Sequence, residues 1–274
     1  LQPGNVPAQN VSGQLVFVVE KLDAGRTLVL TATPAGLPDT IVLDEHDDTM
    51  GFKDSGKPVT IYHYGDKSPL PIPSKPFFYP LNLDGVCLTR KVAAKGEPEP
   101  KIDHPHHRSL WVAHGDLNGV NVWDDGEGHG FQRHVSFGAK YGGPVCGGFT
   151  ETVRWETKDG KPVVEDERSF RLWRSAPGAV VLDLDVTFVA KHGTVKFGDT
   201  KEGGICALRV SEELQGDRTG LMTHATGAKT EPEIWGHRSP WIDYSGELEG
   251  KKVGIAVFDH PRGFRYPTHW HARD

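Results

Sequence analysis

Fourteen histidines lie in this 274-residue chain, and they are unevenly spread. Asp103-His104-Pro105-His106-His107-Arg108 brings three imidazoles and a guanidinium into one short run. Neighbouring imidazoles repel one another once protonated, so the run is poor building material and reads as a functional loop. Pro105 fixes its own φ and holds the flanking residues extended. Thr268-His269-Trp270-His271-Ala272-Arg273 repeats the theme near the C-terminus. On a strand, His269 and His271 share one face and Trp270 takes the other. Such a pair could ligate a metal or supply an acid and a base to one substrate; it could equally be two polar residues facing solvent.

Two further blocks carry chemistry. Phe197-Gly198-Asp199-Thr200-Lys201-Glu202-Gly203-Gly204 sets two acids and an amine between glycines that allow a sharp turn and close approach to a ligand. Its plain reading is a charged β-turn, and it lacks the ending of a phosphate-binding loop. Trp235-Gly236-His237-Arg238-Ser239-Pro240-Trp241 mixes aromatic rings with cationic donors, which suits sugar rings and ordinary core packing alike. Lone histidines such as His46, His63 and His192 read as surface or hydrogen-bonded core residues.

All four blocks are expected to converge on one pocket. Its acid–base candidates are His106, His107, Glu202, His237 and His271. Substrate contacts fall to His104, Arg108, Trp111, Asp199, Lys201, Arg238, His269, Trp270 and Arg273. Lys201 and Glu202 are expected to point into the pocket rather than pair with each other, with Asp199 bracing the turn. No cofactor is named by these residues, although the imidazole clusters would suit a His-bound divalent metal.

The elements that must position these groups read as strands. From Val180 to Val189 apolar residues alternate with Asp183, Asp185 and Thr187, and Glu151–Arg174 reads as a hairpin turning at Lys158-Asp159-Gly160. Further strands are expected at Gln14–Glu20, Arg26–Thr31, Val59–Tyr64, Ile205–Val210 and Lys252–Phe258, the last covered on both faces. Ser211–Leu214 fits a single helical turn, Leu37–Pro58 reads as polar loop, and Lys95–Pro100 as a turn. No sustained helical stripe occurs. Many short strands between turn signals imply an all-β, antiparallel sandwich forming one domain over residues 1–274.

Formal charge is −6 with no basic stripe, which argues against nucleic acid as a partner. Cys87, Cys146 and Cys206 lie far apart and read as small buried hydrophobes. No apolar run approaches the ~20 residues of a membrane span, so a soluble protein is expected. The chain opens with Leu1, and nothing at its start reads as a signal peptide. That fits a processed start and a periplasmic or secreted location.

These motifs together resemble a bacterial family of uncharacterised domains labelled methane oxygenase, PmoA-like. The resemblance rests on Pro80-Leu81-Asn82-Leu83-Asp84-Gly85-Val86, on Asp103–Trp111, on Phe197–Gly204 and on Gly236-His237-Arg238. It continues through Asp243-Tyr244-Ser245-Gly246, Asp259-His260-Pro261 and Pro267–His271. It implies a large antiparallel sandwich similar to the galactose-mutarotase-like supersandwich. It also implies a carbohydrate setting, and a chain that continues beyond Asp274 into another strand or two. The label itself conflicts with the absence of long apolar helices. The expected function is a carbohydrate-active enzyme, of epimerase, lyase or hydrolase type, working by histidine and carboxylate acid–base catalysis. A metal-dependent enzyme with His ligands and a non-catalytic glycan-binding module are the alternatives. A carbohydrate or other small molecule is the expected partner.

Overall fold

The computed structural model describes residues 6–19, 21–98, 102–174 and 178–273. In chain order its strands begin with a hairpin of β1 (Ala8–Val11) and β2 (Gln14–Phe17). There follow β3 (Ile41–His46), β4 (Thr49–Asp54), β5 (Lys57–His63), β6 (Phe77–Leu83), β7 (Val86–Cys87) and β8 (Leu110–His114). Four longer strands come next: β9 (Phe131–Tyr141), β10 (Cys146–Glu156), β11 (Pro162–Trp173) and β12 (Val181–Val189). The chain then adds β13 (Gly203–Leu208), β14 (Leu221–His224), β15 (Trp241–Leu248) and β16 (Lys251–Phe258).

All pairings are antiparallel, and the protein is nearly all β with a sandwich-like arrangement. The large sheet runs β13-β8-β6-β5-β4-β3, with β7 on β6, and the second sheet runs β12-β11-β10-β9. A smaller sheet, β14-β15-β16, follows in sequence.

Alternation builds the layers. Ile41, Met50, Phe52, Tyr62, Phe78 and Leu110 from the large sheet meet Phe149, Phe170 and Leu172 from the second. Val112 continues that interior against Val153, Trp155 and Val164. The next residues along, Phe77, Trp111 and Ala113, point to the outer face of the large sheet and pack with Leu70, Trp123 and Ala207. That outer apolar layer is the platform for the site described below. The interior also holds charge: Arg168, 1% exposed, binds Asp166 at 2.7 Å, while Tyr62 donates to the buried carboxylate of Glu151. Pairing of this kind offsets the cost of burying charge.

The hairpin around Lys158-Asp159-Gly160, the alternating β12 and the helical turn at Glu212–Leu214 match the sequence pattern. Residues 37–58 do not: β3 and β4 form a hairpin there. Asp47 and Asp48, at φ +45° and +55°, make a tight turn that is usually built with glycine, so the signal was disguised. Arg26–Thr31 forms no strand and lies exposed. Of Gln14–Glu20, only Gln14–Phe17 is strand, and Glu20 lies outside the described residues. β16 is an edge strand, with Phe258 73% exposed, not a strand covered on both faces. A one-turn helix at Glu231–Ile234 carried no sequence signal of useful length. Cys146 is buried, Cys87 partly so, and Cys206 is exposed beside a register shift of β13. Lys95 and Gly96 do turn, but residues 99 and 100 lie outside the described part. Among the described residues, no helix is long and apolar enough to cross a membrane.

Candidate metal centre

The run Asp103–Arg108 leads into β8. The His107 N–H donates to the His104 carbonyl at 2.9 Å, closing a tight turn with Pro105 in the second position, where its fixed φ is favoured. His104 adopts φ +44° and Ser109 +60°, so the chain bends sharply on both sides of the turn. Arg90 holds that shape. Its Nη1 donates to the Asp103 carbonyl and carboxylate at 2.9 and 3.0 Å. Its Nη2 reaches the carbonyls of His104 and His107 at 2.7 and 3.2 Å. Arg209, just beyond β13, grips the Asp103 carboxylate with Nη2 at 2.9 and 3.0 Å.

This clamp forces the three imidazoles together. Ring centroids lie 4.5 Å apart for His106–His107, 4.9 Å for His104–His107 and 5.7 Å for His104–His106. One ring nitrogen from each residue lies within 4.8 Å of the other two. Tetrahedral coordination at ~2.0–2.1 Å needs nitrogens roughly 3.3 Å apart, a contraction within reach of side-chain rotation. The floor beneath is aromatic: His107 stacks on Trp111 at 5.1 Å and meets the edge of Trp123 at 5.4 Å. Gly204 makes room for that indole, since a Cβ there would stand 3.3 Å from Trp123 Cζ3. The Nε2 atom of His107 is buried and has no hydrogen-bond partner among the described residues.

Burial, followed by the neighbouring His106 and His104, pushes the His107 pKa down to about 2. Burial also lowers the pKa of His106, against the pull of Asp124. Both imidazoles are therefore neutral near pH 7, the state in which a ring nitrogen can ligate a metal. Carboxylates flank the trio: Asp124 lies 3.6 Å from His106 Nδ1 and Asp103 3.9 Å from His104 Nε2. Carboxylates placed behind metal-binding histidines orient the rings and raise their basicity.

Beside the trio lies a buried charge group. Lys75, only 3% exposed, binds Asp125 at 3.1 Å, the Ser74 hydroxyl at 2.8 Å and the Trp123 carbonyl at 2.7 Å. Arg108 pairs with the other oxygen of Asp125 through Nη1. Burial lowers the Lys75 pKa to about 8 despite Asp125. Burial would raise that of Asp125, but Lys75 and Arg108 override it and hold the carboxyl well below its ordinary range.

The other three blocks meet one another elsewhere. His271 Nδ1 donates to the Lys201 carbonyl at 2.7 Å, the Trp270 N–H donates to the His237 carbonyl at 3.1 Å, and Arg238 Nε donates to His269 Nε2 at 3.3 Å. Gly203 pairs with His114 and Leu208 with Leu110. The Lys201–Glu202 turn and the histidine trio therefore flank opposite ends of the β8–β13 ladder, about 15 Å of strand apart. Among the described residues, the hydrogen bonds and ring contacts of His104, His106 and His107 do not reach the second group.

In that second group His237, Arg238, His269, His271 and Asp199 are exposed. Outward and inward positions do alternate from 269 to 272, but only one isolated bridge, Arg238 to His269, replaces the expected strand. Trp270 packs inward beside Ile242 and Ala272, and its Nε1 donates to the Ser239 carbonyl at 2.8 Å. Arg273 pairs with Glu231 at 2.9 Å. Lys201 and Glu202 do not enter a common pocket. They pair with each other at 3.6 Å, Lys201 being 66% exposed, because β13 starts at Gly203 and leaves the turn at its outer end. Thr200, not Asp199, braces the turn by accepting the Glu202 N–H at 3.0 Å. Trp111, 3% exposed, lies beneath His107 as floor.

Sequence reasoning passed over Arg90, Arg209, Lys75, Trp123, Asp124 and Asp125. A signal existed in Trp123-Asp124-Asp125-Gly126, two adjacent acids after a tryptophan in a turn-rich stretch. Lys75 and Arg209 are solitary cations, and Arg90 with its neighbour Lys91 belongs to no recognisable motif.

Comparison with known proteins places a family of unknown function, DUF6807, over residues 50–274. The chain belongs to that family. The matched region contains the clamped turn, its aromatic floor and the buried Lys75–Asp125–Arg108 group. No curated protein and no solved structure matches the chain.

Proposed function

We propose that this family member is a divalent-metal-dependent enzyme acting on a small polar molecule, with His104, His106 and His107 as the metal ligands. One observation carries the reading: three ring nitrogens converge within 4.8 Å, and the buried Nε2 of His107 has no hydrogen-bond partner among the described residues. A buried polar atom left without a partner costs free energy of about 1–3 kcal/mol, which a ligated ion would recover. The chain supplies the rest. Arg90 fixes the turn, Trp111 and Trp123 exclude water from one side, and Asp124 and Asp103 orient the outer imidazoles. A bound divalent ion with an open position would supply Lewis-acid chemistry and a water of lowered pKa.

Acid–base catalysis by Glu202 and these histidines draws less from the geometry, since Glu202 lies at the far end of the ladder and faces Lys201. The β-sandwich and the exposed Trp235 suit a sugar-like substrate, but fold alone does not assign one. The test is calorimetric titration of chelator-treated protein with Zn2+ and Co2+. One equivalent is expected to bind, with affinity falling at least 100-fold in His106→Ala and His107→Ala. Binding that survives both substitutions overturns the assignment.

A further inference from the structure

Against His107 lies a cleft of about 40 Å3, bounded by Pro105, His107 and Arg108 on one side and by Arg90, Lys91 and Val92 on the other. It has room for roughly three water-sized groups, enough for a carboxylate. Three cationic residues line it, and no acidic residue does among the described residues. Their donors are unequally committed. Arg90 spends both of its terminal nitrogens on the loop carbonyls and Asp103, so it contributes charge rather than free hydrogens. Arg108 gives only Nη1 to Asp125, leaving Nε and Nη2 without an acceptor among the described residues. Lys91 is 76% exposed and only loosely approached by Glu97 at 3.8 Å.

We infer that this cleft is the substrate-anchoring subsite and that it takes a carboxylate, held by Arg108 and Lys91 beside the histidine trio. The inference rests on the metal reading and sharpens it. A planar guanidinium with two open N–H groups matches a carboxylate, and the apolar wall formed by Val92 and Ile102 strengthens the attraction by excluding water. A carboxylate seated next to His107 brings the neighbouring carbon and its hydroxyl toward the ligand nitrogens. The fitting substrate class is therefore a hydroxy acid or sugar acid, its hydroxyl at the metal and its carboxylate in the cleft.

The experiment uses glycolate, ethylene glycol and inorganic phosphate as probes, each added to Co2+-loaded and to metal-free protein. Calorimetry follows binding, and visible absorption follows the cobalt. Glycolate is expected to perturb the cobalt bands and to bind at least tenfold more tightly than ethylene glycol. Arg108→Gln and Lys91→Gln should each weaken glycolate at least fivefold while Lys91→Gln changes cobalt affinity less than twofold. Lys91 is solvent-exposed, so that variant keeps the test open if Arg108→Gln fails to fold. Glycolate binding no better than ethylene glycol, or unchanged in Lys91→Gln and Arg108→Gln, overturns the carboxylate subsite while cobalt binding stands. Phosphate binding more tightly than glycolate overturns the carboxylate assignment. If cobalt does not bind, the metal reading falls, and the metal-free titrations decide the subsite separately.

Discussion

His107 stands on two tryptophans with His104 and His106 beside it, the turn clamped by Arg90 and one ring nitrogen of each residue within 4.8 Å of the other two. His269 and His271, as dense in sequence, are exposed, and each already spends a ring nitrogen on a neighbour: Arg238 for one, the Lys201 carbonyl for the other. His63 is a third kind. It is 2% exposed, yet both its nitrogens are satisfied, by the Ser68 hydroxyl at 2.8 Å and the Tyr79 carbonyl at 2.9 Å. Histidine density does not make a site, and neither does burial. Convergence combined with an unspent, desolvated nitrogen sets the first group apart from the other two.

The largest effect that separates the two regions should come from Asp125. Replacing it with Ala strands the buried Lys75 and half-buried Arg108 without their counter-ion, and about 3–5 kcal/mol of stability should be lost in denaturant unfolding. A loss near zero would mean that the charge group beside the trio is no more built than the exposed Lys201–Glu202 pair. Next, His107→Ala should lower metal affinity at least 100-fold, about 2.7 kcal/mol, whereas His271→Ala should change it less than twofold. Equal effects at both ends would collapse the distinction.

A tenfold loss of metal affinity is expected for Asp124→Asn, because the carboxylate 3.6 Å from His106 orients the ring without touching the ion. Calorimetry on the same preparation reads it. His63 offers a check through pH. Burial depresses its pKa to about 4 from 6.5, so the folded protein keeps the ring neutral while the unfolded chain protonates it. Its contribution is fully present above about pH 6.5 and is lost as pH falls toward 4, at up to about 1.4 kcal/mol per pH unit. His63→Gln should flatten that part of the stability–pH curve, and an unchanged slope would place the proton uptake elsewhere. Smallest of all, Glu202→Gln should shift stability by less than about 0.5 kcal/mol, as an exposed pair permits.

Much of the fold was legible in the chain. Val180–Val189 and Phe170 with Leu172 alternate so regularly that only a strand buries their apolar side, and Asp159-Gly160 marks the turn of the longest hairpin. The β3–β4 hairpin was hidden because Asp47 and Asp48 occupy backbone conformations that the pattern reserves for glycine. In the site, the His-Pro-His-His run announced its imidazoles by composition alone, but Pro105 suggests extended neighbours, whereas His104 at φ +44° and the bond from the His107 N–H to the His104 carbonyl close a tight turn. The same logic pointed equally at His269 and His271, since local spacing reports which side chains share a face but not what that face meets.

The sequence by itself determined the antiparallel β character and the presence of three imidazoles within one short run. Tertiary structure decided that these imidazoles converge. Arg90, Arg209 and Trp123 are far from the turn in sequence and arrive only through the pairing of β6, β8 and β13. It decided, too, that Glu202 stays away, because antiparallel pairing of β13 with β8 sends residue 202 to one end of the ladder and residue 209 to the other. Desolvation and charge compensation are properties of what surrounds a group, and those surroundings are assembled from strands that the sequence keeps far apart.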